Sequence, residues 1–364
     1  MNHLFLHLLS SAIWDKPANA SLFKELSPTT WKSITNMANR QSVSGLIADK
    51  ALSLPQESLP PMSLRLQYIA QIQQTEALTR KMITVLGVLS EEYKEANFPF
   101  CLLKGLSVGA NYPKPLLRNP GDIDLYLYKK GDYHKSKEYI SNKGFDIVDG
   151  HQMHYAFTKD GVYIENHRRF TYFDNKKYDT LLKKHEEEII AKNNFPTIKI
   201  DGIEVQQLPI EVNALFIFQH LFRHFVHAGV GFRQYSDWLL FLSKHKSNIN
   251  KDSFATLAQS YALLYPMQVF ARAAVKYLAA SEDIFPFPMI DHSKHVDTII
   301  EDILHSGNFG FHRPGKQRPQ QRLQGMWFSY KTTIKRAIKF SSLSPQHITL
   351  LPFKKLINRI KIGF

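Results

Sequence analysis

The sequence predicts an α+β protein in which a small mixed β-sheet core is flanked by an N-terminal and a C-terminal helical domain. Apolar residues recur at helical spacing up to residue 96 and again beyond residue 209. Between these regions lie short alternating segments punctuated by Gly, Pro and Asn, which is the pattern of strands and turns. No internal repeat or low-complexity stretch points to a solenoid or a disordered chain. The division that follows is a helical domain over 1–96, an α/β core over 97–208, a second helical domain over 209–311 and a basic tail over 312–364.

The first segment, Met1-Asn2-His3-Leu4-Phe5-Leu6-His7-Leu8-Leu9, is apolar, and Ala18-Asn19-Ala20 resembles a cleavage site. No Lys or Arg precedes it and two histidines interrupt it, so an amphipathic first helix is expected rather than a secretory signal. Ser27-Pro28 reads as an N-cap followed by a proline at the first helical position, opening a helix with Trp31, Ile34, Met37 and Ala38 on one face. The prolines between Leu54 and Pro61 mark a connection. After it, Leu64, Tyr68, Ile72, Leu78, Met82, Val85 and Leu89 set out the apolar stripe of one long helix.

The character changes at Asn97-Phe98-Pro99. Phe100 to Leu103 reads as a short strand and Asp122 to Leu127 as the next, followed by a helix over 133–142 that closes at Lys143-Gly144. Phe145 to Val148, His154 to Phe157 and Val162 to Glu165 complete the small sheet, with Asp160-Gly161 as a hairpin turn. Helix returns from Tyr178, broken by a hairpin at Asp201-Gly202. Glu186-Glu187-Glu188 reads as a solvated helix face, and Leu215, Phe218, Leu221, Phe222 and Phe225 form a wide apolar one.

The chain has 364 residues and 44% hydrophobic content, enough for a sizeable core and too much for global disorder. The lone cysteine, Cys101, sits in an apolar run and cannot form an internal disulfide, so it reads as a buried thiol in a reducing cytoplasm. No apolar run approaches the ~20 residues needed to span a bilayer, and a cytoplasmic protein, soluble or membrane-peripheral, is expected. The tail from His312 to Phe364 holds 12 basic residues and no acidic one, which accounts for 12 of the 14 net positive charges. It has three readings: nucleic-acid binding, contact with an anionic membrane, or a solvated surface. Trp327, Phe328 and Tyr330 are present, but no recognised nucleic-acid motif is. Leu351, Phe353, Leu356, Ile357 and Ile360 alternate with Lys354, Lys355, Arg359 and Lys361 as in an interfacial helix. Docking of the tail on the protein's own core is an equally strong alternative.

Asp122-Ile123-Asp124 carries the chemistry. Residues i and i+2 of a strand point to one face, so both carboxylates project into one site. Adjacent carboxylates repel unless a cation neutralises them, and removal of either is therefore expected to leave the fold intact. Hard oxygen donors in this arrangement suit Mg²⁺, with Mn²⁺ as the alternative ion. Glu165, at the end of the strand reached through the Asp160-Gly161 turn, is the natural third ligand. Gly105-Leu106-Ser107 follows a strand and opens a helix, where glycine permits close backbone approach and the serine hydroxyl can bind phosphate. Arg118, four residues ahead of Asp122, reads equally as a loop cation or a phosphate contact.

His167 shares a strand face with Glu165, to orient substrate or support the acid. His220 and His224 share a helix face, but no acid or cysteine in zinc-site spacing accompanies them, so packing or substrate lining is expected. Gly229-Val230-Gly231 reads as a helix–helix turn, and Arg233 with Asp237 as an i,i+4 ion pair.

A strand, Gly-x-Ser, a helix start, Asp-x-Asp on the next strand and a later acid on a third resemble the DNA polymerase beta-like nucleotidyltransferases. More narrowly, Leu103-Lys104-Gly105, Tyr112-Pro113, Arg118, Gly121-Asp122-Ile123-Asp124 and Ile164-Glu165-Asn166-His167 look like a bacterial family of uncharacterised nucleotidyltransferases, often encoded near surface-polysaccharide or peptide-modification genes. The resemblance runs on through His220-Leu221-Phe222-Arg223-His224 and Gly229 to Trp238, and covers most of residues 30–245. It makes the core a nucleotidyltransferase fold and keeps His220, His224, Arg233 and Asp237 as secondary site candidates. Lys104-Gly105 stands where the wider superfamily usually has Gly-Gly or Gly-Ser, and a lysine there can contact triphosphate directly.

The resemblance implies transfer of a nucleoside monophosphate from an NTP to an acceptor hydroxyl or phosphate, with release of pyrophosphate. The acceptor class (small molecule, saccharide, peptide or protein) is left open, with nucleic acid the least favoured. Two alternatives are an inactive binding module that kept the fold, and a phosphotransferase using the same acids.

Overall fold

The computed structural model describes the whole chain apart from Gln152, residues 311–318, Gln320 and residues 355–364. Helix α1 (Asn2–Ile13) buries Leu4, Phe5, Leu8 and Leu9, so the apolar N-terminal run is core. In α2 (Pro28–Arg40), the Ser27 hydroxyl accepts a hydrogen bond from the Thr30 amide and Pro28 takes the first turn. Helix α3 (Ser44–Leu52) leads to α4 (Met62–Glu95), a single helix of 34 residues. Its buried line is Tyr68, Thr75, Thr79, Met82, Leu86, Leu89 and Tyr93, whereas Leu78, expected on the stripe, is 47% exposed. The reason is that α4 changes partners along its length. Tyr68 belongs to one hydrophobic core and Met82 onward to a second. At the crossover Thr75 and Thr79 face inward instead, each bonding the carbonyl four residues back.

The α/β region supplies one seven-stranded mixed sheet of order β3-β4-β5-β2-β1-β7-β6. Strand β1 (Cys101–Leu103) leads through α5 (Gly105–Gly109) to β2 (Ile123–Tyr126), which pairs antiparallel with β1 and parallel with β5 (Val162–His167). Helix α6 (Asp132–Asn142) precedes β3 (Val148–His151) and β4 (His154–Lys159). The predicted strand over Phe145 to Val148 thus begins at its last residue. Asp160 and Gly161 both have positive φ, as a two-residue hairpin turn requires, and Lys159 pairs with Val162 across it. After α7 (Lys176–Lys192), β6 (Thr197–Ile200) and β7 (Ile203–Gln206) form the Asp201-Gly202 hairpin, which joins the same sheet beside β1. Glu186 is no solvated acid: it is buried, accepting from the Tyr126 hydroxyl at 2.7 Å and from Arg169 Nε at 2.8 Å.

Period-two alternation divides the sheet between two cores. Leu102, Ile123, Leu125 and Ile164 pack under α4 and α6, while Cys101, Leu103 and Tyr126 face the other way. That second face is covered by α8 (Ile210–His227), with α9 (Phe232–His245), α10 (Lys251–Ser260), α11 (Leu264–Leu278) and α12 (His295–Ser306) behind it. Residues of α1 to α3 belong to this same core, and Phe5 lies 5.7 Å from Phe232, ring to ring. Because Asp122 and Asp124 share the parity of Tyr126, the strand period aims both acids toward α8.

The described part of the basic tail is docked. In α13 (Arg322–Phe340), Arg336 is buried, holds Asp302 at 2.8 Å and donates to the Phe225 carbonyl. Phe340, Leu343, Ile348 and Leu351 are buried as well, with the Phe340 ring 4.6 Å from that of Phe225. Self-docking is therefore the outcome for the stretch from Arg336 to Leu351, while Phe353 just beyond it is exposed. Leu356, Ile357, Ile360, Lys355, Arg359 and Lys361 of the expected interfacial helix lie outside the described residues. Among the described residues no helix is long and apolar enough to cross a membrane. Phe340→Ala should cost about 3–5 kcal/mol of stability, as removal of a fully buried aromatic does. A urea midpoint equal to wild type would show that this docking adds nothing to the fold.

Candidate active site

Three adjacent strands place the acids. Asp124 lies opposite Glu165 in the parallel β2–β5 pair and opposite Leu103 in the antiparallel β1–β2 pair. Lys104 leaves β1 at that point with φ 42° and ψ −141°, and Gly105 follows at φ 40°. A lysine in this region is strained by about 1–3 kcal/mol, a cost seen where surrounding structure fixes a functional loop. Gly105 has a plain reason to be glycine: a Cβ there would lie 3.0 Å from the Asp122 carbonyl oxygen.

Asp122, Asp124 and Glu165 can each offer a carboxylate oxygen so that all three lie within 4.8 Å of one another. Lys104 Nζ approaches Asp124 Oδ1 at 3.0 Å. His167 Nε2 sits 2.8 Å from the same oxygen and 3.2 Å from Glu165 Oε2. His154 Nε2 lies 3.4 Å from Glu165 Oε1. The two aspartates are therefore unequal. The neighbouring Asp124 charge, then burial, raises the pKa of Asp122. Burial works in the same direction on Asp124, but the Lys104 ammonium and His167 overcome it and hold that carboxyl well below the usual carboxylate range. Burial disfavours a charged His167, yet the hydrogen bonds to Asp124 and Glu165 raise its pKa on balance. Three convergent carboxylates, one of them destabilised by its neighbour's charge, form a hard oxygen donor set that can hold Mg²⁺ or Mn²⁺.

The acids open into a cavity of about 310 Å³ between the sheet and α8. Its lining includes Lys104, Gly105, Arg118, His167, His220, His224, Arg233 and Asp237 besides the acids. His220 and His224 stack edge to face with centroids 4.4 Å apart. Burial, followed by nearby cations including Lys104 and Arg223, lowers both pKa values, so they line the wall as neutral rings. Among the described residues no third His, Cys or acid completes a metal group with them.

Three expected contacts are placed differently. Ser107 is buried in α5, a helix of only five residues, and does not line the cavity. Its hydroxyl is buried and has no hydrogen-bond partner among the described residues. Arg118 reaches the cavity wall, but its guanidinium is committed to Asp237 through Nε at 2.7 Å and Nη2 at 2.8 Å. Arg233 does not form the expected i,i+4 pair. It donates to the carbonyls of Asn119 and Pro120, both at 3.2 Å, and so fixes the loop entering Asp122. Asp237 accepts from the Tyr112 hydroxyl at 2.8 Å instead. Tyr112, Arg118, Arg233 and Asp237 thus form a buried brace behind the acids. The Gly229-Val230-Gly231 turn joins α8 to α9 as expected.

His154 is the one residue of the cluster that sequence reading passed over. Counting outward from the Asp160-Gly161 turn pairs it with His167, a register the sequence contains.

A comparison with curated proteins gives no match. Among solved structures, an antigenic nucleotidyltransferase-like protein from Paracoccidioides brasiliensis is similar over 54% of this chain and 92% of its own, at 16% identity and a TM-score of 0.36. The family described as uncharacterised nucleotidyltransferase matches residues 27–279, a span that takes in the acids, Lys104, both strand histidines and the α8–α9 wall. With more than half of its length matched, this chain belongs to the family of uncharacterised nucleotidyltransferases.

Proposed function

We propose that the protein transfers a nucleoside monophosphate from an NTP to the hydroxyl or phosphate of an acceptor and releases pyrophosphate. The observation that carries this reading is the convergence of Asp122, Asp124 and Glu165 within 4.8 Å, beside Lys104, at the base of a cavity. In this reading Asp122, Asp124 and Glu165 hold Mg²⁺ or Mn²⁺, which when bound neutralises triphosphate charge and lowers the pKa of the attacking group. The acceptor oxygen bonds to the α-phosphorus while the bond from that phosphorus to the bridging oxygen breaks, and pyrophosphate leaves with the electron pair. Glu165, held between His154 and His167, orients the acceptor and helps remove its proton. Lys104, which lines the cavity 3.0 Å from Asp124 Oδ1, would offer its ammonium to the triphosphate. The neutral wall of His220 and His224 contacts the acceptor or the base.

Incubation with each α-labelled NTP, Mg²⁺ and a cell extract tests the proposal. Label should appear on an acceptor with stoichiometric pyrophosphate. Release of NDP instead would mark a phosphotransferase, and no label transfer under any NTP would leave an inactive fold. Lys104→Met should raise KM for the NTP by roughly tenfold or more while leaving kcat less affected, because a lysine supplies a point charge to phosphate. An unchanged KM would remove Lys104 from the nucleotide site.

A further inference from the structure

We propose that His154, Glu165 and His167 form a second cation position beside the carboxylate cluster, one that selects a nitrogen-binding first-row transition ion over Mg²⁺. This inference rests on reading the carboxylate cluster as a metal centre, with which it shares Glu165.

The strand geometry builds the position. His154 on β4 lies directly opposite His167 on β5, and Glu165, two residues before His167, points to the same face. Both rings turn Nε2 toward one carboxylate, at 3.4 Å from Oε1 for His154 and 3.2 Å from Oε2 for His167. One nitrogen from each ring and one oxygen from Glu165 all fall within 4.8 Å of one another. The ring centroids are 4.9 Å apart, and all three residues line the cavity. Each ligand comes from an interior strand of the sheet, so the set is held without a loop having to order around an ion.

The chemistry of the donors sets the preference. Mg²⁺ takes oxygen ligands and keeps its waters, which suits Asp122, Asp124 and Glu165. Two imidazoles and one carboxylate suit Mn²⁺, Fe²⁺, Co²⁺ or Zn²⁺, because imidazole nitrogen binds these ions and barely competes for Mg²⁺. Glu165 can serve both positions through its two oxygens. His167, which also reaches Asp124 at 2.8 Å, lies on the boundary between them. The centre is then asymmetric, with an oxygen-only position and a mixed nitrogen–oxygen one.

The test uses the full-length protein, stripped of metal and free of nucleotide, with Mn²⁺ as the probe followed by electron paramagnetic resonance. Part of the bound Mn²⁺ should withstand a large excess of Mg²⁺, and that retained ion should show ¹⁴N couplings from imidazole. His154→Gln should weaken the retained ion by at least about tenfold. Complete displacement by Mg²⁺, or a retained ion without nitrogen coupling, would overturn the proposal even if the variant failed to fold. Retention of the nitrogen-coupled ion in His154→Gln would overturn it too. Mn²⁺ that is bound but wholly displaced by Mg²⁺ leaves the carboxylate reading standing while this one falls. A nitrogen-coupled ion that persists with no Mg²⁺-displaceable partner would overturn the carboxylate reading, and with it the claim of a second position.

Discussion

Asp124→Asn is expected to abolish nucleotidyl transfer and to weaken the fold, whereas Asp122→Asn should abolish transfer and leave the fold as stable or more so. Asp124 is 1% exposed and carries the ion pair with Lys104 and the hydrogen bond with His167. Its amide analogue leaves a largely buried ammonium and a raised-pKa imidazole without the charge they face, at about 1–3 kcal/mol. Asp122 has the opposite balance, since the Asp124 charge is the main force on it and is repulsive. Removing the Asp122 charge relieves that repulsion, so the metal-free protein should be as stable as wild type or more so. Turnover with α-labelled NTP should fall at least roughly 1,000-fold in both variants, as when a group that stabilises transition-state charge is lost. Urea midpoints would then separate them. Equal destabilisation of the two would refute the asymmetry, and substantial turnover in either would refute the metal role.

That asymmetry was not legible in the sequence, and the reason is general to this protein. Strand period two and the Asp160-Gly161 turn are local signals: they put Asp122 with Asp124 on one strand face and Glu165 with His167 on another, and the parallel β2–β5 pairing then brings the two pairs together. The partner each side chain selects is a long-range matter. Lys104 meets Asp124 only because β1 and β2 are antiparallel neighbours, and Arg118 meets Asp237 across 119 positions of sequence. Glu186 reads as the start of a solvated acidic run because its partners, Tyr126 and Arg169, come from other elements. Leu78 failed for a related reason, since a helix that serves two cores need not keep one stripe. His154 differs from these. Its register was available, and it was missed because a lone histidine at the start of a strand gives no signal until its cross-strand partner is counted out.

Arg118 and Asp237 give the other large effect, and the experiment decides between brace and phosphate contact for Arg118. Both side chains are buried, the guanidinium holds the carboxylate through two hydrogen bonds, and Tyr112 adds a third. Asp237→Leu leaves the buried Arg118 without the carboxylate it pairs with, beside the half-buried Arg233, and should cost about 3–5 kcal/mol. Arg118→Met strands the carboxylate and should cost a similar amount. The double variant removes both charges together and should recover most of that loss, because an apolar pair can replace a buried ion pair at little net cost. Stability of the four proteins in urea gives the cycle. If Arg118 is only a brace, the double variant should keep its KM for NTP within about twofold of wild type, since no uniform binding contact has been removed. A stable double variant with KM raised tenfold or more would return Arg118 to the triphosphate. Two single variants as stable as wild type would mean instead that the Arg118–Asp237 pair does not hold the loop carrying Asp122.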